Sequence, residues 1–145
     1  MSKALRSPHR SLELARVLLV DDNLTTRLTL QTVLEASGYQ VDAAASAAEA
    51  IEKLEKHEYE LVLTDLRMES PEAGLKVLAH ARMMEYKPAT ALVTTYQDSK
   101  GRTGRKADGT VLIKPEDLPE FLGRVADLIS ERATRRIERE LVARR

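Results

Sequence analysis

The sequence predicts an α/β fold in which helices cover both faces of a buried, parallel, doubly wound sheet. Short β-rich apolar runs alternate along the chain with segments of helical periodicity, and continuous apolar runs are typical of strands buried on both faces. A second observation is that polar residues follow three of these runs directly. The carboxyl ends of parallel strands open into one crevice, so these side chains are expected to lie together. They are Asp21 and Asp22 after residues 17–20, Asp65 after residues 61–64, and Lys114 after residues 111–113.

The first half of the chain alternates strand and helix. After the strand at residues 17–20, residues 24–37 carry apolar side chains at helical spacing, and Gly38 supplies a left-handed cap. Residues 39–45 form a weak second strand. Residues 46–49, which begin with Ser and end with Glu, have the capping-box pattern and open the second helix. The apolar positions of these two helices are Leu28, Leu30, Val33 and Leu34 in the first, and Ile51 and Leu54 in the second.

The second half continues the alternation. The third strand ends at Asp65, and a loop with Pro71 leads to a third helix at about residues 72–86, which Pro88 closes. Residues 91–94 form the fourth strand. The third helix is expected to pack through Leu75, Leu78 and Ala81. The fifth strand covers residues 111–113. A second capping pattern at residues 117–120 begins the last helix.

The last helix carries an apolar stripe that is longer than its domain needs. Apolar side chains that extend beyond the domain's own core are expected to be buried against the surface of another protein. The sequence therefore predicts a homodimer formed through the C-terminal helix. The stripe consists of Leu118, Phe121, Leu122, Val125, Leu128 and Ile129, and Ala133, Ile137 and Leu141 continue it.

A fourth crossover helix is predicted to be weak or missing. It would lie between Tyr96 and Gly109, yet residues 97–106 contain no large aliphatic side chain and two glycines. A helix there would have no apolar face to bury. We therefore expect a loop or a frayed turn in this part of the chain.

Length and composition indicate one small domain. The chain has 145 residues, and its 23 basic and 23 acidic side chains cancel, so no global field would recruit nucleic acid or a membrane. No apolar run is long enough to span a bilayer, no secretory signal is evident, and cysteine is absent. We expect a cytoplasmic protein with an N-terminal extension at residues 1–14, a domain at residues 15–130 and a helical extension at residues 131–145.

The clustered acids predict a cation and a phosphate. Two or three neighbouring carboxylates repel each other unless a positive charge lies among them, and Mg²⁺ prefers oxygen ligands. Lys114 adds a mobile point charge that suits a phosphate oxygen. The residues therefore indicate a phosphorylation site in which one aspartate is the acceptor.

In this arrangement the chain resembles a response regulator receiver domain of two-component signalling, over about residues 15–130. The resemblance rests on Asp21-Asp22, Asp65, Thr94 and Lys114-Pro115, each at its own strand end and in this order. It implies a flavodoxin-like fold whose five parallel strands have the order 2-1-3-4-5. It also implies a stand-alone signalling or relay protein that catalyses only its own phosphorylation and dephosphorylation. The phosphoryl group would come from a sensor histidine kinase or a phosphotransfer protein and would change the affinity for an unknown downstream protein.

The resemblance assigns a role to each site residue. Asp65 would be the phosphoacceptor. Asp22, Asp65 and the backbone carbonyl of Arg67 would bind Mg²⁺, and Asp21 would act mainly through water or cap the following helix, a role open to Asp22 as well. Thr94, with Thr95 as a neighbouring alternative, and Lys114 would bind the phosphoryl group, whereas Arg67, Tyr96 and Pro115 would modulate the site.

The chain also departs from the family pattern. Relatives commonly have proline four residues after the acceptor, where this chain has Glu69, while its proline and glycine stand at Pro71 and Gly74. Val111 stands where relatives carry an aromatic residue. These departures leave open a second hypothesis, a phosphorylation-independent interaction or dimerisation module with a receiver-like fold.

Other classes fit less well. A dehalogenase-type phosphatase would need an Asp-x-Asp arrangement after the first strand, and a P-loop enzyme would need a glycine and lysine spacing that residues 101–106 lack. Residues 131–145 hold more arginines than glutamates, but no recognition helix follows, so nucleic-acid binding is not expected.

Overall fold

The computed structural model describes residues 15–66, 68–93, 104–105, 111–113 and 117–144 of the chain. Its core is one mixed sheet of six strands in the order β2-β1-β3-β4-β6-β5. Strands β1 to β4 and β6 are parallel, so the predicted order of five parallel strands is confirmed. The strands are β1 Arg16–Val20, β2 Gln40–Ala44, β3 Leu61–Asp65, β4 Ala89–Val93, β5 Gly104–Arg105 and β6 Val111–Ile113.

Within the described residues, four helices cover the two faces of this sheet. They are α1 Leu24–Ala36, α2 Ala47–Lys56, α3 Ala73–Met83 and α4 Leu118–Ala143. One core cluster contains Leu34 of α1 and Phe121 of α4, a second contains Leu54 of α2 and Val77 of α3, and a small third one contains Leu78 of α3 and Leu92 of β4. The predicted doubly wound arrangement is therefore confirmed. None of the helices in the described parts of the chain has the length and apolar content that a bilayer crossing requires.

The strand β5 was not predicted. It pairs antiparallel with β6, opposite Leu112 and Val111, at the edge of the sheet. It lies inside the segment for which we expected a loop. The other residues between Val93 and Val111 lie outside the described residues, and so does the expectation about a fourth helix.

One predicted packing position is wrong: Leu75, through which the third helix was expected to pack, is 49% exposed. Leu28 and Leu118, which belong to the apolar stripes of their helices, are also exposed, at 52% and 37%. Helical spacing alone shows which side chains share a stripe, but a helix packed against a sheet buries only part of its apolar surface. The row that faces the sheet in α1 is Leu30 and Leu34, and in α3 it is Val77, Leu78 and Ala81.

The predicted end of α1 and start of α2 have the expected capping geometry. Gly38 has a φ of 103°, and the amides of Gly38 and Tyr39 donate to the carbonyls of Glu35 and Leu34, which is a Schellman motif. Ser46 accepts a hydrogen bond from the Glu49 amide at 3.2 Å. The Glu49 carboxylate accepts from the Ala45 amide instead of returning to Ser46. These bonds satisfy backbone groups that would otherwise lack partners at the helix ends.

The C-terminal helix α4 is held by a residue that the sequence analysis did not single out. Arg132 is buried, and its guanidinium donates to the carbonyls of Tyr86 at 2.6 Å and Lys87 at 3.0 Å. Burial raises the pKa of Tyr86 to about 12, so its hydroxyl stays protonated and donates to the Leu54 carbonyl. Arg132 therefore ties α4 to the turn after α3, and Tyr86 ties this turn to the end of α2.

We expect Arg132→Ala to lower the free energy of unfolding by about 2 kcal/mol, because two buried carbonyls lose a charged donor. Urea denaturation followed by circular dichroism measures this change. Arg135→Ala is the matched control, since Arg135 lies exposed on the same helix and its removal should change stability by less than about 0.5 kcal/mol. Equal losses in the two variants would show that the Arg132 contacts do not stabilise the fold.

Candidate functional site

The site lies at the carboxyl ends of β1 and β3. These strands are parallel neighbours, and their register pairs Val20 with Thr64. The next residues, Asp21 and Asp65, therefore reach the sheet edge side by side, and Asp22 follows. One carboxylate oxygen from each of Asp21, Asp22 and Asp65 lies within 4.8 Å of the others. The predicted clustering of the three acids is present in the structure.

Asp21 is almost fully buried at 4% exposure and is held by its backbone. Its amide donates to the Ala44 carbonyl at 3.0 Å, and its carbonyl accepts from the Arg27 guanidinium at 2.8 Å. Burial raises the pKa of the Asp21 carboxyl, and the neighbouring charge of Asp22 raises it further. The Asn23 amide, which donates to Asp21 Oδ1 at 2.9 Å, and Arg27 oppose this shift in pKa only in part.

The cap of α1 is Asn23. Its side-chain oxygen accepts from the Thr26 amide at 2.9 Å. Asp21 and Asp22, to which the sequence analysis gave a possible capping role, do not make the cap bond. Their carboxylates are left to face the sheet edge, with Asp22 exposed to solvent.

Asp65 is buried at the end of β3, and α3 approaches its backbone closely. A Cβ atom added at Gly74 would lie 2.3 Å from the Asp65 carbonyl oxygen, which is well inside contact distance. Gly74 therefore allows the start of α3 to pack against the strand end that carries Asp65. Gly74 departs from the family spacing in the sequence, but only the packing shows why a glycine is needed there.

The loop after Asp65 has a second attachment. Glu69 Oε2 accepts a hydrogen bond from the Ala47 amide, the first residue of α2, at 3.0 Å. A carboxylate at a helix N-terminus is favourable because it meets unpaired amides and the positive end of the helix dipole. This contact was not predicted from the sequence, because Glu69 and Ala47 are 22 residues apart. The only local signal is that Glu69 carries a carboxylate, which can accept a hydrogen bond from an amide at a helix start.

The three acids suit a small, hard cation. Opposite oxygen ligands of an octahedral Mg²⁺ are about 4.2 Å apart, close to the span of this cluster. Burial is the main cause of the raised Asp21 pKa and the charge of Asp22 adds to it, and a cation beside the acids would offset both by favouring the charged carboxylates. The other predicted site residues lie outside the described residues: Arg67, Thr94, Thr95, Tyr96, Lys114 and Pro115.

Comparison with known proteins agrees with this geometry. A family model described as "Response regulator receiver domain" matches residues 17–126. This chain belongs to the response regulator receiver family. Among curated proteins, it is 32% identical over 117 residues to the virulence transcriptional regulatory protein PhoP of Salmonella typhimurium, a match that covers 79% of this chain and 51% of PhoP. The chain spans about half the length, or less, of the curated relatives it matches first.

Solved receivers share the fold. A response regulator receiver protein from Sinorhizobium medicae is 25% identical, with a TM-score of 0.68 over 83% of this chain and 98% of that protein. The response regulator TrrA from Thermotoga maritima, solved in complex with Mg²⁺-BeF, is 24% identical, with a TM-score of 0.60 over 79% of this chain and 99% of TrrA. The flavodoxin-like receiver architecture is thus shown for this chain.

We expect Gly74→Ala to lower the free energy of unfolding by about 2 kcal/mol, because the new methyl group would overlap the Asp65 carbonyl oxygen. Gly123→Ala is the matched control. Gly123 lies in α4 with nothing within 4 Å of an added Cβ, so the same change there should raise stability by about 0.5–1 kcal/mol. Chemical denaturation of both variants tests this, and a stabilised Gly74→Ala protein would contradict the close approach.

Without metal, Asp21→Asn is expected to raise the free energy of unfolding at pH 7. The raised pKa of Asp21 means that folding disfavours its charged form, so removing the charge favours the folded state. The gain should shrink as the pH falls through the raised pKa towards the ordinary one, because Asp21 is then protonated in the wild-type protein too. Urea unfolding in a chelator across this range measures it, and a lower stability at pH 7 would oppose this account.

Proposed function

We propose that this receiver takes a phosphoryl group onto Asp65 from the phosphohistidine of a sensor histidine kinase or of a phosphotransfer protein, with Mg²⁺ bound beside it. The observation that carries the proposal is the meeting of Asp21, Asp22 and Asp65 from two adjacent strands within 4.8 Å. Their geometry is what a metal-assisted phosphoacceptor needs.

Asp65 is the nucleophile in this proposal. One of its carboxylate oxygens forms the new bond to phosphorus as the bond between phosphorus and the donor imidazole nitrogen breaks, and the nitrogen keeps the electron pair. The product is an acyl phosphate. The buried setting of Asp65 on a sheet strand fixes its position, and positioning supplies much of the catalysis in phosphoryl transfer.

Asp22 and Asp65 would hold the cation directly, and Asp21 would do so mainly through water. When bound, Mg²⁺ would neutralise charge that develops on the phosphoryl oxygens. The fold similarity to TrrA, which was solved with Mg²⁺-BeF, supports this choice of cation. The proposal also assigns the Arg67 carbonyl to the metal, Thr94 and Lys114 to the phosphoryl group, and modulating roles to Thr95, Tyr96 and Pro115.

A surface beside the acids suits the donor protein. Leu24 and Leu28 lie one turn apart at the start of α1 and are exposed, at 58% and 52%. Side chains one turn apart share a helix face, and this face begins directly after Asp22 and Asn23. Two exposed leucines next to the acceptor support docking of an apolar helix face of the kinase or phosphotransfer protein.

The test is chemical phosphorylation. We expect acetyl phosphate with Mg²⁺ to add one phosphoryl group to the wild-type protein and none to Asp65→Asn. Labelling of Asp22→Ala should no longer depend on the metal, because this variant lacks an oxygen ligand. Intact-protein mass spectrometry measures the added mass. Lys114→Ala should still accept some phosphate but fail to hold the phosphorylated state together.

Asp127→Asn is the matched control, since Asp127 is exposed on α4 far along the chain from the acids, and it should label as the wild type does. Unchanged labelling of Asp65→Asn would overturn the assignment. If the wild-type protein took no phosphate at all, the phosphorylation-independent interaction module would become the better hypothesis.

A homodimer through α4 remains a prediction. Ile137 and Leu141 lie one turn apart on α4 and are both 57% exposed. Replacing both with Glu is expected to convert a dimer into a monomer in sedimentation velocity. Val142→Glu, at an exposed position off the stripe, should leave the dimer intact. We prefer these substitutions to truncation after Ser130, because truncation also removes the buried Arg132. A wild-type monomer would refute the prediction.

A further inference from the structure

We propose that Glu69 is a positioning residue for the phosphorylation site. It holds the loop that follows Asp65 against the start of α2, and thereby limits movement of the loop side of the acidic cluster beyond what the strand register fixes at Asp65 itself. This inference rests on the proposed function. It concerns a feature of this chain, since Glu69 stands where the family resemblance leads us to expect proline.

The contact is specific. Glu69 Oε2 accepts from the Ala47 amide at 3.0 Å. Two other amides of this helix start have different acceptors: the Ala45 amide donates to the Glu49 carboxylate and the Glu49 amide donates to the Ser46 hydroxyl. Among the described contacts, the acceptor for the Ala47 amide is Glu69 Oε2. A carboxylate that accepts from a helix-start amide makes a charge-assisted bond, which is stronger than a neutral one.

Through the Glu69 bond, the segment at residues 44–47 is connected both to Asp21 and to the loop that follows Asp65. Asp21 donates its amide to the Ala44 carbonyl at 3.0 Å, and Ala44 ends β2 just before the start of α2. Glu69 joins that same segment, at Ala47, to the loop four residues beyond Asp65. One chain segment, residues 44–47, therefore holds both sides of the acidic cluster. Loss of the Glu69 bond would release one side of it.

The other backbone hydrogen bonds described around Glu69 stay within the loop, from the Met68 and Ala73 amides to the Ser70 carbonyl. Gly74 fixes the start of α3 against the Asp65 carbonyl, and Met68 packs against the core cluster under α2. Neither contact spans from the loop to the backbone that holds Asp21. A proline at position 69 would restrict the local backbone through its ring. Glutamate achieves an equivalent restriction through a hydrogen bond to a neighbouring element.

The experiment separates position from charge. Glu69→Ala removes the acceptor, whereas Glu69→Gln keeps an acceptor oxygen and removes the charge. Ala47→Pro removes the donor and leaves Glu69 in place, and proline is tolerated at the first position of a helix. Glu72→Ala is the matched control for charge, because Glu72 is exposed in the same loop and its side chain makes no cap bond.

The readouts are the dissociation constant for Mg²⁺ from magnesium-dependent shifts of the unfolding midpoint, the rate of labelling by acetyl phosphate, and stability in a chelator. We expect Glu69→Ala and Ala47→Pro each to weaken Mg²⁺ binding about tenfold, as loss of an outer-shell partner does. The double variant should be no worse than either single one. Glu69→Gln and Glu72→Ala should bind Mg²⁺ within about twofold of the wild type.

Two outcomes overturn the inference. One is wild-type Mg²⁺ affinity in Glu69→Ala, and the other is independent, additive losses in the Glu69→Ala and Ala47→Pro pair. A loss of stability in the chelator with unchanged Mg²⁺ affinity would make the contact a structural cap only, which also overturns it. Failure of the proposed function is distinguishable, because the wild-type protein itself would then take no phosphate.

Discussion

The constraint on which the rest of the site depends is electrostatic. Three carboxylates lie within 4.8 Å of one another, and two of them are buried. Burial, and then the neighbouring charge of Asp22, raises the pKa of Asp21, so folding with these carboxylates charged is unfavourable. The fold must therefore hold the acids in place against this cost. In the proposed function, a bound cation would offset it.

The rigidity comes from backbone contacts more than from side chains. The parallel register sets Asp21 beside Asp65, the Ala44 carbonyl holds the Asp21 amide, and Gly74 allows α3 to approach the Asp65 carbonyl. Backbone groups have fewer degrees of freedom than side chains, so they hold charged groups at lower entropic cost. The positions of the three acids are therefore set by the edge of the sheet and by the loops that follow its strands.

The opposite end of the domain has its own anchor. Arg132 and Tyr86 link α4, the turn after α3 and the end of α2 through hydrogen bonds to backbone carbonyls. Beyond Arg132 the helix continues with Ile137 and Leu141 exposed. The first half of α4 thus packs on the core, and its second half exposes apolar side chains. The residues that stabilise the fold are therefore different from those that would contact a partner.

The sequence by itself determined the fold class and the identity of the clustered acids, because buried parallel strands and polar strand ends leave a direct pattern in the chain, and the family resemblance added the strand order. It did not determine which row of each helix faces the sheet. Leu75 was therefore misplaced, and Leu28 and Leu118 lie exposed on the apolar stripes of their helices. It also could not show the Arg132 anchor, the Glu69 bond to Ala47 or the reason for Gly74. These contacts join residues that are distant in the chain, and only the tertiary structure decides them, since local periodicity and capping patterns carry no information about distances across the fold.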